Sequence, residues 1–553
     1  MVRLLAGHGV THVFGLCGDT SLPLYDAFVR LDHEIVHILT RDERSAAYMA
    51  DGFARVTGRV GICEGPSGGG ATYILPGVAE ANESSVPLLA ITSDVATTSR
   101  GRFALTELDQ EALFRPVAKW NQNLPSGAAL PRVVRRAFSE ATGGRPGAVH
   151  VGLPYDVQLQ PVDESELWTE PGGDRAPRWR VAPDPQALER ALALLADARA
   201  PLILCGGGVV ISGAERELAE LAQRLNAPVA TSISGQGSIG EDHPLALGVV
   251  GSNGGTLATR AVVDEADLVL FVGCRAGSVT TERWRHPRPD GRKFIHIDAD
   301  PGVIGANYRA DAPLVGDACL TLAALVDRLP ANPSAKRWDA ADRVARAKRE
   351  KFELFQAVAS SDATPVRPER IIAELQDALP PEAVLVCDPG TPCPYVSAYY
   401  EFRRSGRHFV SNRAHGALGY ALSAAVGALF GRPGVPVLAI MGDGSFGFTA
   451  GELETVVRLS TPITMLVLSN QSYGWIKAGQ RAGYASRYFS VDFSETDHAA
   501  IARAYGIPSW RVDDAAELGP TLRKALGSAG PALIDIVTQP LHEAAAPVSE
   551  WVA

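Results

Sequence analysis

Short apolar runs that end in glycine-rich turns, each followed by a helical repeat, recur from one end of this chain to the other. That alternation restricts the fold to parallel sheets with helices packed on both faces. Runs at 13–16, 60–63 and 86–91 fall in a first block. Runs at 201–205 before Gly206-Gly207-Gly208, at 268–273, and at 294–297 before Asp298 fall in a second. Runs at 383–386, 435–440 and 463–468 fall in a third. The polar segment 170–183, which opens Glu170-Pro171-Gly172-Gly173-Asp174, reads as a linker. Residues 330–333 with the charged helix at 337–355 form a second joint. With 553 residues the chain is too long for one ordinary domain. The expected class is α/β, in three doubly wound parallel-sheet domains over 1–163, 185–330 and 364–553.

One strand–helix–strand unit in the third block carries chemistry. The run 435–440 leads into Met441-Gly442-Asp443-Gly444-Ser445-Phe446, residues 449–459 place Leu453, Val456 and Val457 at helical spacing, and the run 463–468 ends at Asn470. A carboxylate and an amide are thus carried past neighbouring strand ends, where open parallel sheets bind ligands. Asp443 and Asn470 offer hard oxygens that suit Mg²⁺ or Ca²⁺, and Mg²⁺ takes few protein groups, filling its octahedron with phosphate oxygens and water. The glycines allow close backbone approach, and a helix start presents free N–H groups to an anion. A diphosphate held through a divalent cation satisfies all of these at once. An isolated Gly-Asp-Gly is usually a plain turn; its pairing with Asn470, 27 positions on, sets this one apart.

These residues resemble the signature of thiamine-diphosphate enzymes, Gly-Asp-Gly with Asn470-Gln471-Ser472-Tyr473-Gly474 downstream, and the resemblance is closest to the acetolactate synthase-like branch. It implies pyrimidine-binding, central and diphosphate-binding domains in that order. It implies Mg²⁺ held by the Asp443 and Asn470 side chains and the Ser472 carbonyl, and a diphosphate lying along Gly442, Gly444, Ser445, Phe446 and Tyr473. Asp388-Pro389-Gly390-Thr391-Pro392 resembles the loop that meets the diphosphate, with Gly390 and Thr391 nearest; the Gln-His pair common there is missing.

The segment from Arg41-Asp42-Glu43-Arg44 to Arg55 resembles the helix whose glutamate hydrogen-bonds the aminopyrimidine ring, which makes Glu43 the activating acid. A carboxylate at a helix start is also favoured by the helix dipole alone. His415-Gly416-Ala417-Leu418 resembles the segment that cradles the ring: the Gly416 carbonyl accepts its amine and Leu418 bends the cofactor. His415 stands either as a proton donor or as a structural histidine. Gly65-Pro66-Ser67-Gly68-Gly69-Gly70-Ala71-Thr72-Tyr73 resembles a cofactor-side loop in which Tyr73 replaces an asparagine. Gln110 matches a glutamine on the substrate loop and faces either substrate or solvent. Trp475 and Ile476 are assigned to the substrate pocket; Lys477 meets an anionic group or solvent. The acceptor-selecting tryptophan of acetolactate synthases is replaced by Gly479. In the central block the segments matching known flavin contacts read Arg275-Ala276-Gly277 and Ser252-Asn253-Gly254, so FAD is not expected there.

The expected activity makes or breaks a carbon–carbon bond next to a carbonyl. Acetolactate synthase-like carboligation of a 2-oxo acid leads, with 2-oxo acid decarboxylase and 2-hydroxyacyl-CoA lyase as alternatives. A catalytically silent regulatory subunit is a further alternative, against which intact Glu43, Asp443 and Asn470 speak. The resemblance implies a homodimer or homotetramer with sites at the subunit interface. A formal charge of −10 without long charge runs argues against nucleic-acid and anionic-membrane partners. Seven scattered cysteines, no apolar stretch of membrane-spanning length and no visible signal peptide place the protein in the cytoplasm. The first helix looks clipped, which places the natural start upstream. The tail at 542–553 reads as a lid over the pocket or as a disordered end.

Overall fold

The computed structural model describes residues 1–332 and 337–551. Pro333 of the second joint and the last two residues of the tail lie outside the described residues. Three six-stranded, all-parallel sheets with flanking helices form the architecture. The first contains β1 (His12–Gly15), β2 (Val36–Leu39), β3 (Gly61–Gly65), β4 (Leu88–Asp94), β5 (Trp120–Asn123) and β6 (Ala148–Pro154), in the order β2-β1-β3-β4-β6-β5. The second contains β7 (Pro201–Cys205), β8 (Val229–Thr231), β9 (Ala246–Val249), β10 (Leu268–Val272), β11 (Lys293–Asp298) and β12 (Ala312–Val315), in the order β12-β11-β10-β7-β8-β9. The third contains β13 (Val384–Cys387), β14 (Phe409–Ser411), β15 (Val437–Gly442), β16 (Ile463–Ser469), β17 (Ser509–Val512) and β18 (Ala532–Val537), in the order β14-β13-β15-β16-β18-β17. The first and third sheets therefore share one strand order, and the second has the order of dinucleotide-binding sheets.

Side-chain alternation makes the second sheet doubly wound. Ile203, Cys205, Leu268 and Leu270 enter one apolar core; Leu202, Leu204, Val269 and Phe271 enter another on the opposite face. No helix among the described residues is long and apolar enough to cross a membrane.

Contacts between Cα atoms group the chain into two compact units. The first comprises Met1–Trp179, Asn412–Ala439 and Gly447–Ile463; the second comprises Arg180–Ser411, Ile440–Phe446 and Thr464–Ala553. In the first unit, helix Glu43–Thr57 lies directly on helix Ala421–Gly431. A Cβ on Gly52 would fall 2.1 Å from the Ala424 carbonyl oxygen, and one on Gly427 would fall 1.8 Å from that of Met49. Glycine at these two positions lets the backbones touch.

In the second unit, the two glycine turns of the central sheet fill each other. A Cβ on Gly206 would lie 2.1 Å from the Gly273 oxygen, and one on Gly208 would lie 2.6 Å from the Gly273 Cα. Packing accounts for both turns without a ligand. The described part of the tail packs on the second unit. Leu541 is fully buried, the Pro547 carbonyl accepts from the Gly254 N–H at 2.8 Å, and Ser549 N–H donates to the Ser252 carbonyl at 2.9 Å.

Candidate active site

The second unit gathers the metal motif. Asp443 follows the last residue of β15 and opens the helical turn Asp443–Phe446. The expected helix at 449–459 is thus preceded by a turn at the motif itself and begins properly only at Leu453. Three main-chain N–H groups converge on the Asp443 carboxylate. Gly444 donates to Oδ1 at 2.8 Å, and Asn470 and Gln471 donate to Oδ2 at 2.8 and 2.6 Å. Burial pushes the carboxyl up from the usual aspartate value, and these donors pull it back towards the ionised form. Asn470 Oδ1 accepts from the Ser472 N–H and Oγ–H, at 3.2 and 3.1 Å, while its amide donates to Thr391 Oγ1 at 3.4 Å. Between the two candidate ligands, Gln471 stands at φ +56°, and its N–H and that of Asn470 both reach Asp443 Oδ2.

The facing turn is tied to the motif. Ser445 Oγ donates to the buried Asp388 carboxylate at 2.7 Å. Gly390 has φ +100°, and added Cβ atoms on Gly390 and Gly442 would meet nothing within 4 Å. An open cradle therefore lies along these two turns. Gly444 is different: a Cβ there would lie 2.8 Å from the Tyr473 ring, so this glycine seats Tyr473. Phe446 is buried, edge-on to His498. Among the described residues no three His, Cys, Asp or Glu side chains cluster as a metal site. A cation here would draw on one carboxylate, one amide oxygen and one main-chain carbonyl, the sparse hard-oxygen set that Mg²⁺ bound to phosphates uses. The residues present fit that group.

Trp475 is half-buried and packs on Trp551 of the tail at 5.1 Å, whereas Ile476 is exposed. Lys477 is spent on Asp492 at 2.6 Å.

The first unit holds the other candidates. Glu43 is the first residue of its helix, behind the Asp42 cap whose side chain accepts the Arg44 N–H at 2.7 Å. Its side chain is buried against the 65–70 loop: a Cβ on Gly65 would come 3.2 Å from Glu43 Cγ, and one on Gly70 would come 3.1 Å from Oε1. No side chain among the described residues donates to it. Burial, with the charges of Asp42 and Glu64, pushes its carboxyl up against the pull of its own main-chain N–H. It is poised to carry a proton. The loop ends in a short helix, Gly69–Tyr73, that leaves Tyr73 exposed.

Gln110 is corrected by the structure. It is fully buried, not at a solvent-facing loop surface; its amide donates to the Ser93 carbonyl at 2.8 Å and its oxygen accepts from Thr92. Both ends of its side-chain amide are tied to the β4 end. His415 and Gly416 are exposed and Leu418 is half-buried. Gly416 has φ +72° with open space at its Cβ position.

Sequence reasoning missed what holds this segment. Glu80, 1% exposed, accepts from the main-chain N–H groups of Ala414, His415 and Gly416 at 3.3, 2.7 and 3.4 Å. Arg55 joins it to Asp51, at 3.0 Å to Glu80 and 2.6 Å to Asp51, and Tyr420 donates to the same Asp51. The only trace in the sequence is a lone acid in the apolar stretch Leu75-Pro76-Gly77-Val78-Ala79-Glu80-Ala81.

Comparison with known proteins agrees with this geometry. The chain matches the models of the thiamine pyrophosphate enzyme N-terminal TPP binding domain over residues 1–113, the central domain over 188–325, and the C-terminal TPP binding domain over 388–536. It is 35% identical over 549 residues to a probable acetolactate synthase large subunit of Methanocaldococcus jannaschii, covering 98% of this chain and 91% of that protein. It is 34% identical over 556 residues to an acetolactate synthase of Arthrospira platensis, covering 97% and 93%. It is also 35% identical over 543 residues to a probable 2-ketoarginine decarboxylase of Pseudomonas aeruginosa, covering 97% and 93%. A carboxylate offered by three main-chain N–H groups beside an open glycine cradle, a buried acid at a helix start, and these matches together establish the chain as a member of the thiamine pyrophosphate enzyme family, an acetolactate synthase-like enzyme dependent on thiamine diphosphate.

Proposed function

We propose that this enzyme is a Mg²⁺-dependent carboligase of 2-oxo acids, joining two carbonyl compounds in the manner of an acetolactate synthase. The observation that carries the reading is the Asp443 carboxylate, held by three N–H groups next to Asn470 and facing the open turns of Gly390 and Gly442. When bound, thiamine diphosphate supplies a carbanion and an electron sink. The chain's own residues do the rest. Asp443, Asn470 and the Ser472 carbonyl hold the cation. Gly390, Thr391, Gly442, Gly444, Ser445, Phe446 and Tyr473 receive the diphosphate. The Gly416 carbonyl and Leu418 seat the pyrimidine ring, with Glu80 fixing the main chain beneath them. Glu43 holds a proton at its buried carboxyl and offers it to a ring nitrogen. His415, exposed on its turn, is placed to pass protons to substrate. Tyr73, Trp475 and Ile476 shape the pocket. Gln110 stiffens the β4 end and does not touch substrate.

Decarboxylation of a 2-oxo acid without a carbon acceptor is the second reading. It is favoured by the equal identity to the probable 2-ketoarginine decarboxylase. In both readings the protein is a cytoplasmic homo-oligomer, a setting that suits its seven free thiols. Glu43→Gln and Asp443→Ala chains, each inactive, are then expected to regain part of the activity when mixed.

Calorimetric titration of thiamine diphosphate with and without Mg²⁺ tests the reading, followed by pyruvate and a panel of 2-oxo acids with detection of CO₂ and products. Mg²⁺-dependent binding and an acetohydroxy acid product are expected. An aldehyde as sole product selects the decarboxylase, and absence of binding by the folded protein overturns both.

A further inference from the structure

The third sheet contains a buried carboxylate that the functional reading leaves unused. Asp535 stands inside the apolar run Ala532–Val537 of β18 and is fully buried. A parallel strand covered on both faces reads as a continuous apolar run, so a carboxylate within it needs partners. Its Oδ1 accepts the hydroxyl proton of Ser469, and its Oδ2 accepts the main-chain N–H of His498 at 2.9 Å. Arg511 Nη1, on the edge strand β17, approaches Oδ2 at 4.0 Å. Ser469 has given its one proton to Asp535. The 3.1 Å contact between Ser469 Oγ and His498 Nδ1 is therefore a bond that the imidazole donates. The same ring nitrogen lies 3.5 Å from Asp535 Oδ1. His498 is thus held at its main chain and at its ring.

This imidazole touches both segments that carry the candidate cation ligands. Ser469 is the last residue of β16 and stands directly before Asn470; its carbonyl is tied in turn to the Thr538 N–H at 2.9 Å. Phe446 ends the turn that Asp443 opens. It is buried, and its ring meets the imidazole at 89°, with the centroids 5.5 Å apart. The two segments already meet where Asp443 Oδ2 takes the Asn470 and Gln471 N–H groups. His498 joins them a second time, through the residue before Asn470 and the end of the Asp443 turn. A single joint leaves the segments free to pivot about the carboxylate; a second one fixes how far apart the two ligands stand.

We infer that His498, seated by Asp535, is a positioning residue that fixes the spacing of Asp443 and Asn470 for a divalent cation through its Nδ1–H bond to Ser469. The inference rests on the proposed role of Asp443 and Asn470 as cation ligands. Groups that orient a metal's ligands contribute about 10- to 100-fold to its affinity. His498 acts on the chain segments rather than on the ligand atoms, so the lower end of that range is expected.

The test titrates Mn²⁺ into the full chain with thiamine diphosphate present and reads the loss of the free-ion paramagnetic resonance signal. His498→Phe keeps a ring against Phe446 and loses the donor. His498→Asn keeps a donor at the place of Nδ1 and loses the ring. Mn²⁺ affinity is expected to fall about ten-fold in His498→Phe and to stay within about three-fold of wild type in His498→Asn. A histidine that only fills space gives the reverse order. Wild-type affinity in folded His498→Phe, or affinity no better in His498→Asn than in His498→Phe, overturns the inference. If His498→Phe does not fold, Ser469→Ala removes the acceptor of the same bond, and wild-type affinity there overturns it. Failure of the cation reading itself is told apart by the wild-type curve, which would then show no Mn²⁺ binding at all.

Discussion

The first and third sheets share one strand order, yet each treats its functional carboxyl in the opposite way. Asp443, at the end of the third strand of its sheet, is met by three main-chain N–H groups. Glu43, after the second strand of its sheet, receives no side-chain donor among the described residues and feels the charges of Asp42 and Glu64. Both are buried and burial pushes both upward, so burial alone does not separate the two carboxyls. Their donors do: N–H groups favour the anion, and neighbouring anions favour the proton. One topology therefore supplies a donor-held carboxyl at one place and a donor-poor one at another, through the loops that follow its strands.

The strongest way to break this comparison is to remove the proton carrier. Glu43→Gln keeps the volume and loses the titrating group. Turnover is expected to drop about 10³-fold, within the range for general acid–base groups, while the affinity for thiamine diphosphate with Mg²⁺ changes only a few-fold. Steady-state kinetics beside calorimetry reads both. Equal loss of affinity and turnover would make Glu43 a binding group and erase the contrast with Asp443.

The converse change is Asp443→Ala. It removes a cation ligand and leaves three N–H groups without an acceptor. Cofactor affinity in the presence of Mg²⁺ is expected to weaken about 10²-fold, and the Mg²⁺ dependence of binding should disappear. Retained Mg²⁺-dependent affinity would show that the cation is held elsewhere.

What was legible in the sequence divides along the same line. Asp443 and Asn470 sit where apolar runs end, so local pattern singled them out, and the three parallel sheets followed from the same alternation; Glu43, a carboxylate at a helix start, stood out only through the family resemblance. Glu80 was not legible, because the N–H groups it holds lie over 330 positions away, at 414–416. The burial of Gln110, read as facing either substrate or solvent, was not legible for a related reason: only the meeting of Thr92 and Ser93 around it encloses its side chain. Glu64 broke the alternation of β3 in plain view, but the groups that accommodate it, Gly15 beside it in register and the Tyr25 and His37 side chains bonded to it, come from segments the sequence holds apart.

The two regions also differ in how they hold histidine, which predicts where acid acts first. His150 in the first sheet is fully buried, stacked on Phe114 at 3.6 Å and bonded only to Thr92, and burial holds it down at about 3. His8, also lowered by burial to about 4, lies in the same unit. In the third sheet, His498 contacts the buried Asp535 carboxylate, and the hydrogen bonds from His498 and Ser469 hold Asp535 below its usual value in spite of burial. The signs follow. A histidine lowered in the fold contributes stability above its unfolded value of about 6.5 and loses it as pH falls; a lowered aspartate loses its share only below about 4. Between pH 7.5 and 5 these two histidines lose their share, as does the buried N-terminal amine, lowered to about 6, whereas Glu241, raised to about 7 by burial, gains stability as pH falls. His150 is expected to account for a loss of about 2 kcal/mol at pH 5. Urea unfolding of wild type and His150→Gln at both pH values measures it; an equally steep loss in the variant would place the acid sensitivity elsewhere.

The smallest expected effect concerns two residues assigned to the substrate pocket, Tyr73 and Trp475. Tyr73 in the first region is 61% exposed, whereas Trp475 in the third is covered by Trp551 of the tail, their rings 5.1 Å apart and inclined by 58°. Glu550 adds ion pairs to Arg283 and Arg285, and Ser549 bonds to Glu282 at 3.1 Å, so the tail is also tied just before Trp551. The ion pairs are partly exposed and contribute little. An aromatic pair of this geometry contributes about 1 kcal/mol beyond its buried area. Trp551→Ala should therefore raise the population of the released tail about five-fold, without unfolding the third sheet. Limited proteolysis reads that population when opening is fast relative to cleavage. A five-fold faster cut within 543–550, with the rest of the chain resistant, is the expected outcome. An unchanged rate would mean that the main-chain bonds at Gly254 and Ser252 hold the tail without help from the tryptophans.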